Sequence, residues 1–188
     1  MNSTRNWIFR GLSLAGLGLW IYTWFQPWWV AFLETLQENG VVIYPYMMQI
    51  SGNLRSYPQW IKGAEMPVWF WPLMWVYLAV CIGAVVMSLF SSAEDKVSIG
   101  KLKLSLPQLL VGFAGLAFII YVVVFVFVIS LRAPQFYGVA LQGNVFVTMD
   151  EHTESYVRTA LQPGYWMACG AAIFLFLSAL FHKVIVGK

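Results

Sequence analysis

Residues 107–131 read PQLLVGFAGLAFIIYVVVFVFVISL, without one Asp, Glu, Lys or Arg. About 20 helical residues cross the ~30 Å hydrocarbon core of a bilayer, so this stretch is long enough to span it. In lipid a backbone must pair its N–H and C=O groups within the segment or in a closed barrel, and a long non-alternating run fits a helix. From Ile119 to Ile129 it is apolar on all sides, as suits a helix facing lipid or another subunit.

Three further stretches share this character, Gly11 to Leu33, Pro67 to Phe90 and Gly164 to Phe181, and every charged residue lies outside the four. The expected fold class is therefore an all-α integral membrane protein. It is a four-transmembrane-helix bundle forming one membrane domain over 1–188, with spans at about 11–33, 67–90, 107–131 and 164–181. Loops 34–66 and 132–163 are the outer, extracellular ones, and loop 91–106 is the inner one.

Composition agrees. Of 188 residues, 60% are hydrophobic, 18% aromatic and only 10% charged, which is outside the range of soluble domains. The net charge of +3 is spread thinly along the chain, so no nucleic-acid partner is expected. Arg5 and Arg10 before an apolar run resemble a secretory signal, but that run extends to Leu33 without a small-residue cleavage site and reads as a retained first span. Cys81 and Cys169 sit in apolar runs and read as small buried side chains.

Seven Lys and Arg (Arg5, Arg10, Lys96, Lys101, Lys103, Lys183, Lys188) fall on one side of this layout, and four (Arg55, Lys62, Arg132, Arg158) on the other. The positive-inside rule then puts both termini in the cytoplasm of a multi-pass cell-membrane protein.

Tryptophan is the most informative residue. Trp24, Trp28, Trp29, Trp60, Trp69, Trp71, Trp75 and Trp166 all fall near the outer ends of spans. Indole favours the headgroup level because it joins an apolar body to an N–H donor, so the rings read as anchors. Seven of them (all but Trp60) are also the candidate rim for a partner or ligand. The outer loops contain two strand candidates, Val41 to Tyr44 and Val145 to Thr148, and a small sheet there needs pairing between the loops. Both halves read as span, β-bearing loop, Pro and aromatic cluster, span, a pattern of weak internal duplication. In the inner loop Lys101 to Leu106 alternates strictly, which suits a short strand or hairpin.

Chemistry-bearing motifs are few. No His lies within a span to hold haem, and no C-x-x-C is present for thiol exchange. Asp150, His152 and Glu154 form one acidic cluster that could ligate a metal, with Glu34, Glu38 or Glu65 from the other loop; its bland reading is a solvated turn. No cofactor is expected beyond lipid. The spans contain no ionisable group for an ion path, and Thr23, Gln26, Ser88, Gln108 and Ser178 are their few polar groups. Gly11, Gly16, Gly18, Gly83, Gly112, Gly115 and Gly170 are the candidate helix-packing positions, since small residues let helices approach where lipid supplies no hydrophobic drive.

In the order of spans and loops alone, the chain resembles the claudin-type tetraspan arrangement. The paired extracellular cysteines and Trp-Gly-Leu-Trp of claudins are missing from 34–66, and the Cys-Cys-Gly of tetraspanins from 132–163, so no functional residue carries over. The expected function is a non-catalytic accessory or assembly subunit of a larger membrane complex, whose partners are lipids and other integral membrane subunits or copies of itself. The alternatives are a homo-oligomeric channel, transporter or ligand sensor under the Trp rim, and a metalloenzyme subunit using residues 150–154.

Overall fold

The computed structural model describes residues 2–55, 66–92, 95–99, 102–135, 138–148 and 154–186. Among the described residues four long helices are present: α1 (Asn2–Trp24), α3 (Phe70–Phe90), α4 (Leu106–Arg132) and α5 (Pro163–Leu180). Two short ones are α2 (Gly52–Arg55) and α6 (His182–Val186). Among the same residues seven strands accompany them: β1 (Trp29–Leu33), β2 (Glu38–Ile43), β3 (Met48–Ile50), β4 (Lys96–Ile99), β5 (Leu102–Ser105), β6 (Gly143–Thr148) and β7 (Glu154–Leu161). The chain is thus mixed helix and sheet, which corrects the all-α reading. Strands β3-β2-β1-β7-β6 form one antiparallel sheet and β4-β5 a hairpin.

Among the described residues three helices are long and apolar enough to cross a membrane: α3, α4 with its short 3-10 extension to Gln135, and α5. The first differs from expectation. Its uncharged part, Gly11 to Trp24, is about 21 Å long at ~1.5 Å per residue, short of the ~30 Å core. The helix stops because Pro27 cannot donate a helical N–H and forces its predecessor out of the α region. Beyond it Trp28-Trp29-Val30-Ala31-Phe32 is bulky and β-prone, so residues expected to finish a span form strand β1 instead.

The chain divides into two compact units. The first comprises residues 1–22, 75–121 and 167–188. Here Trp20 of α1 stacks on Phe118 of α4 at 3.7 Å between centroids and 9° between planes, and Tyr77 of α3 meets Phe118 edge-on. Gly16 of α1 lies under Leu175 of α5, and Gly115 of α4 lies so near Phe176 of α5 that a β-carbon would sit 2.6 Å from its backbone nitrogen. The interior is filled by Phe9, Leu17, Trp20, Val85, Val111, Phe118 and Leu175.

The second unit comprises residues 23–74 and 122–166 and contains the five-stranded sheet. β1 is the middle strand. Ala31, fully buried, sits between Val41 of β2 and Thr159 of β7. This cross-loop ladder provides the pairing that an isolated hairpin would lack. A bulge between Ala31 and Phe32 leaves Gly40 unmatched on β2, where Leu33 lies directly over it. The β1–β2 connection closes with Gln37 in the left-handed region, φ 52°, its amide and side-chain nitrogen both donating to the Glu34 carbonyl.

Candidate functional site

The tryptophans nominated as a rim separate into two populations. Trp24, Trp28 and Trp29 are buried, whereas Trp69, Trp71 and Trp166 are more than half exposed and Trp75 is half-buried. Trp28 lies edge-on to Phe125 at 4.9 Å and to Tyr165 at 5.8 Å, and its indole N–H donates to the Thr23 carbonyl at 2.9 Å. Its backbone joins two strands as well, the amide donating to Ile43 and the carbonyl accepting from Gln162. Trp29 donates its indole N–H to the Leu141 carbonyl at 2.8 Å, and Trp24 lies parallel to Tyr46. These three rings knit the sheet to the ends of α1, α4 and α5 within the second unit. The rings available to a headgroup layer or a partner are those of Trp69, Trp71 and Trp166.

Glycine contacts also divide. A β-carbon on Gly16, Gly112 or Gly115 would meet a neighbouring helix, while Gly11, Gly18, Gly83 and Gly170 have nothing within 4 Å. Gly164, not nominated, is tighter than most: a β-carbon there would lie 2.6 Å from the Pro27 carbonyl oxygen. Its signal was the Pro-Gly pair at the start of α5, next to the place where the first helix breaks.

Of the metal cluster, Asp150 and His152 lie outside the described residues. Glu154 opens β7 opposite Thr148, and its backbone carbonyl accepts from the Thr35 hydroxyl. Glu65 is likewise outside, and Glu34 is exposed in the β1–β2 turn. Glu38 is engaged structurally, its carboxylate accepting from Ser51 Oγ at 2.7 Å and Asn53 Nδ2 at 3.1 Å at the start of α2. Among the described residues no three His, Cys, Asp or Glu side chains converge on a metal-sized space.

Serine hydroxyls inside the helices turn back on their own turn. Ser13 donates to Phe9, Ser88 to Val85 and Ser178 to Phe174. One polar pocket was not foreseen: His182, 5% exposed, lies with Asn6, Phe9, Arg10, Ser88, Ser91 and Pro107 around a space the size of a single water. Its ring meets Phe9 edge-on at 4.6 Å and reaches Ser105 Oγ at 3.4 Å, and burial holds its pKa below the usual histidine value. A lone His at a helix end has no spacing that would announce this. A larger apolar groove of about 440 Å³ runs along α4 and α5, lined by Gln108, Gly112, Leu116, Phe176 and Ala179 among others. In the second unit a space of about 40 Å³ lies between Trp29, Ile43, Ile129 and Arg132. Compared with known proteins, the chain matches no family model, no curated protein and no solved structure.

Proposed function

We propose that this chain is a non-catalytic membrane protein that crosses the bilayer four times, with both termini and the 91–106 loop cytoplasmic, and serves as an accessory or assembly subunit of a larger membrane complex. The observation that carries the reading is how apolar the exposed helix surface is. Val76, Val80 and Met87 of α3, Phe113, Ile120 and Phe127 of α4, and Ile173 and Leu177 of α5 are all exposed. In water such contiguous faces would drive association, and in a bilayer they meet lipid or another subunit. For α1 to cross as well, Arg10 extends its stem to the headgroups while Gly11 to Trp24 occupies the core.

The serine hydroxyls that donate to their own helices weigh against a pore within one copy, because their protons are not offered to a passing ion or solute. The metalloenzyme reading turns on Asp150 and His152, which lie outside the described residues. Capture of the full chain from its native membrane in mild detergent, with mass spectrometry of what accompanies it, tests the proposal. Stoichiometric recovery of other integral membrane proteins is the expected result. Recovery of this chain alone as a homo-oligomer, with ion flux after reconstitution, overturns it in favour of a channel.

A further inference from the structure

Strand β6 is the edge of the five-stranded sheet: β7 pairs with one side, and among the described residues no strand pairs with the other. Edge strands ordinarily carry a charge, a proline or a bulge that keeps further strands away. β6, Gly143-Asn144-Val145-Phe146-Val147-Thr148, has no charge and no proline, and its ladder with β7 is unbroken over all six residues. Alternate residues of such a strand direct N–H and C=O groups away from the sheet, and the group that fits them is another extended strand.

The outward face says which strand. Asn144, Phe146 and Thr148 are exposed and lie opposite Arg158, Tyr156 and Glu154 of β7, all three exposed as well. Phe146 and Tyr156 meet at 4.9 Å between centroids. In an antiparallel pair, directly opposed residues share a face, so a two-fold pairing of β6 with its own copy keeps the faces aligned only when a residue meets itself. With Phe146 on the axis, Asn144 meets Thr148 of the second copy. The outward rows across four strands then read Glu154, Thr148, Asn144, Arg158, and Tyr156, Phe146, Phe146, Tyr156. Each polar row begins in an acid and ends in a base, and the middle row is aromatic throughout. Moving the axis to Val145 would set Asn144 against Phe146 and lose both matches.

We infer that β6 is a self-association site, through which two copies of this chain join their sheets edge to edge, antiparallel, with Phe146 on the two-fold axis. The inference is independent of the accessory-subunit reading, because it needs only the sheet.

The test uses full-length protein in mild detergent, as two variants, Asn144→Cys and Thr148→Cys, oxidised separately and mixed, with the unsubstituted chain as the control for Cys81 and Cys169. The expected result is a disulfide-linked dimer in the mixture and little from either variant alone, since only 144 and 148 face each other. A Phe146→Lys variant, which puts two like charges on the axis, is expected to halve the apparent mass in light scattering while leaving circular dichroism unchanged. A mixture that links no better than its components, or a Phe146→Lys protein with unchanged mass, overturns the inference. If other membrane proteins co-purify while these cross-links fail, the self-association site is lost and the accessory role stands; the opposite outcome separates them in the other direction.

Discussion

Gly115 and Gly83 are both span glycines in a membrane-like sequence, yet only one is constrained. A side chain at Gly115 meets the backbone of Phe176, which cannot rotate away, whereas nothing lies within 4 Å of Gly83. Gly115→Val is therefore expected to lower stability by about 1–3 kcal/mol, the usual cost of overpacking. Gly83→Ala should be neutral or raise stability by up to ~1 kcal/mol through helix propensity. Thermal unfolding in one detergent measures both. The tryptophans offer a similar contrast. Trp28→Phe removes a buried indole donor from the Thr23 carbonyl and should cost about 1–3 kcal/mol, while Trp69→Phe, at an exposed ring, should stay within about 0.5 kcal/mol. His182 gives a pH signature. Its folded pKa is depressed by burial, so the unfolded chain takes up the proton more readily. Stability should be full above about pH 6.5, the ordinary histidine value, and fall as pH drops below it. Unfolding midpoints from pH 8 to 5 should show this decline in the unsubstituted chain and a weaker one in His182→Phe.

Elements were legible to the degree that their sequence had one environment. α3, α4 and α5 are themselves apolar around nearly their whole circumference, and so length and the lack of charge alone identified them. The Val41 to Tyr44 and Val145 to Thr148 candidates lie almost wholly in β2 and β6. β1 was missed because a run of apolar residues in a fully buried central strand has the same composition as the end of a span. β7 was missed for the opposite reason: its inward face is Ser155, Val157 and Thr159, two of them polar, so hydrophobic alternation is faint. Those polar groups are satisfied locally, Thr159 Oγ1 donating to the Ala140 carbonyl at 2.8 Å. The centrality of β1 makes it the element least tolerant of proline. Ala31→Pro removes an N–H between two partners and is expected to cost at least about 3 kcal/mol, seen as loss of the sheet's circular dichroism signal and increased protease sensitivity of residues 29–55.

For the proposed membrane protein, the number of crossings is the property most open to test. With four, tags at the two ends and at the 91–106 loop all lie on one side, and residues 138–148 on the other. With three, should α1 lie at the interface instead, the N-terminal tag reports the side of residues 38–43. Membrane-impermeant labelling of single cysteines placed at residues 4, 39, 98 and 144 in sealed vesicles is expected to give residues 4 and 98 one accessibility and 39 and 144 the other; residues 4 and 39 labelling together would refute four crossings.

Amino-acid order alone determined that the chain carries long apolar helices and that its loops tend to strand, because hydropathy and propensity are local properties. Contact with distant residues decided the rest. Whether Trp28 anchors in a headgroup layer or fills a core depends on Phe125 and Tyr165, about a hundred residues and more away. Whether residues 29–33 finish a span or centre a sheet depends on β2 and β7 being there to accept their backbone groups. A strand's hydrogen bonds, unlike a helix's, are made with other parts of the chain, so its place cannot be read from its own residues.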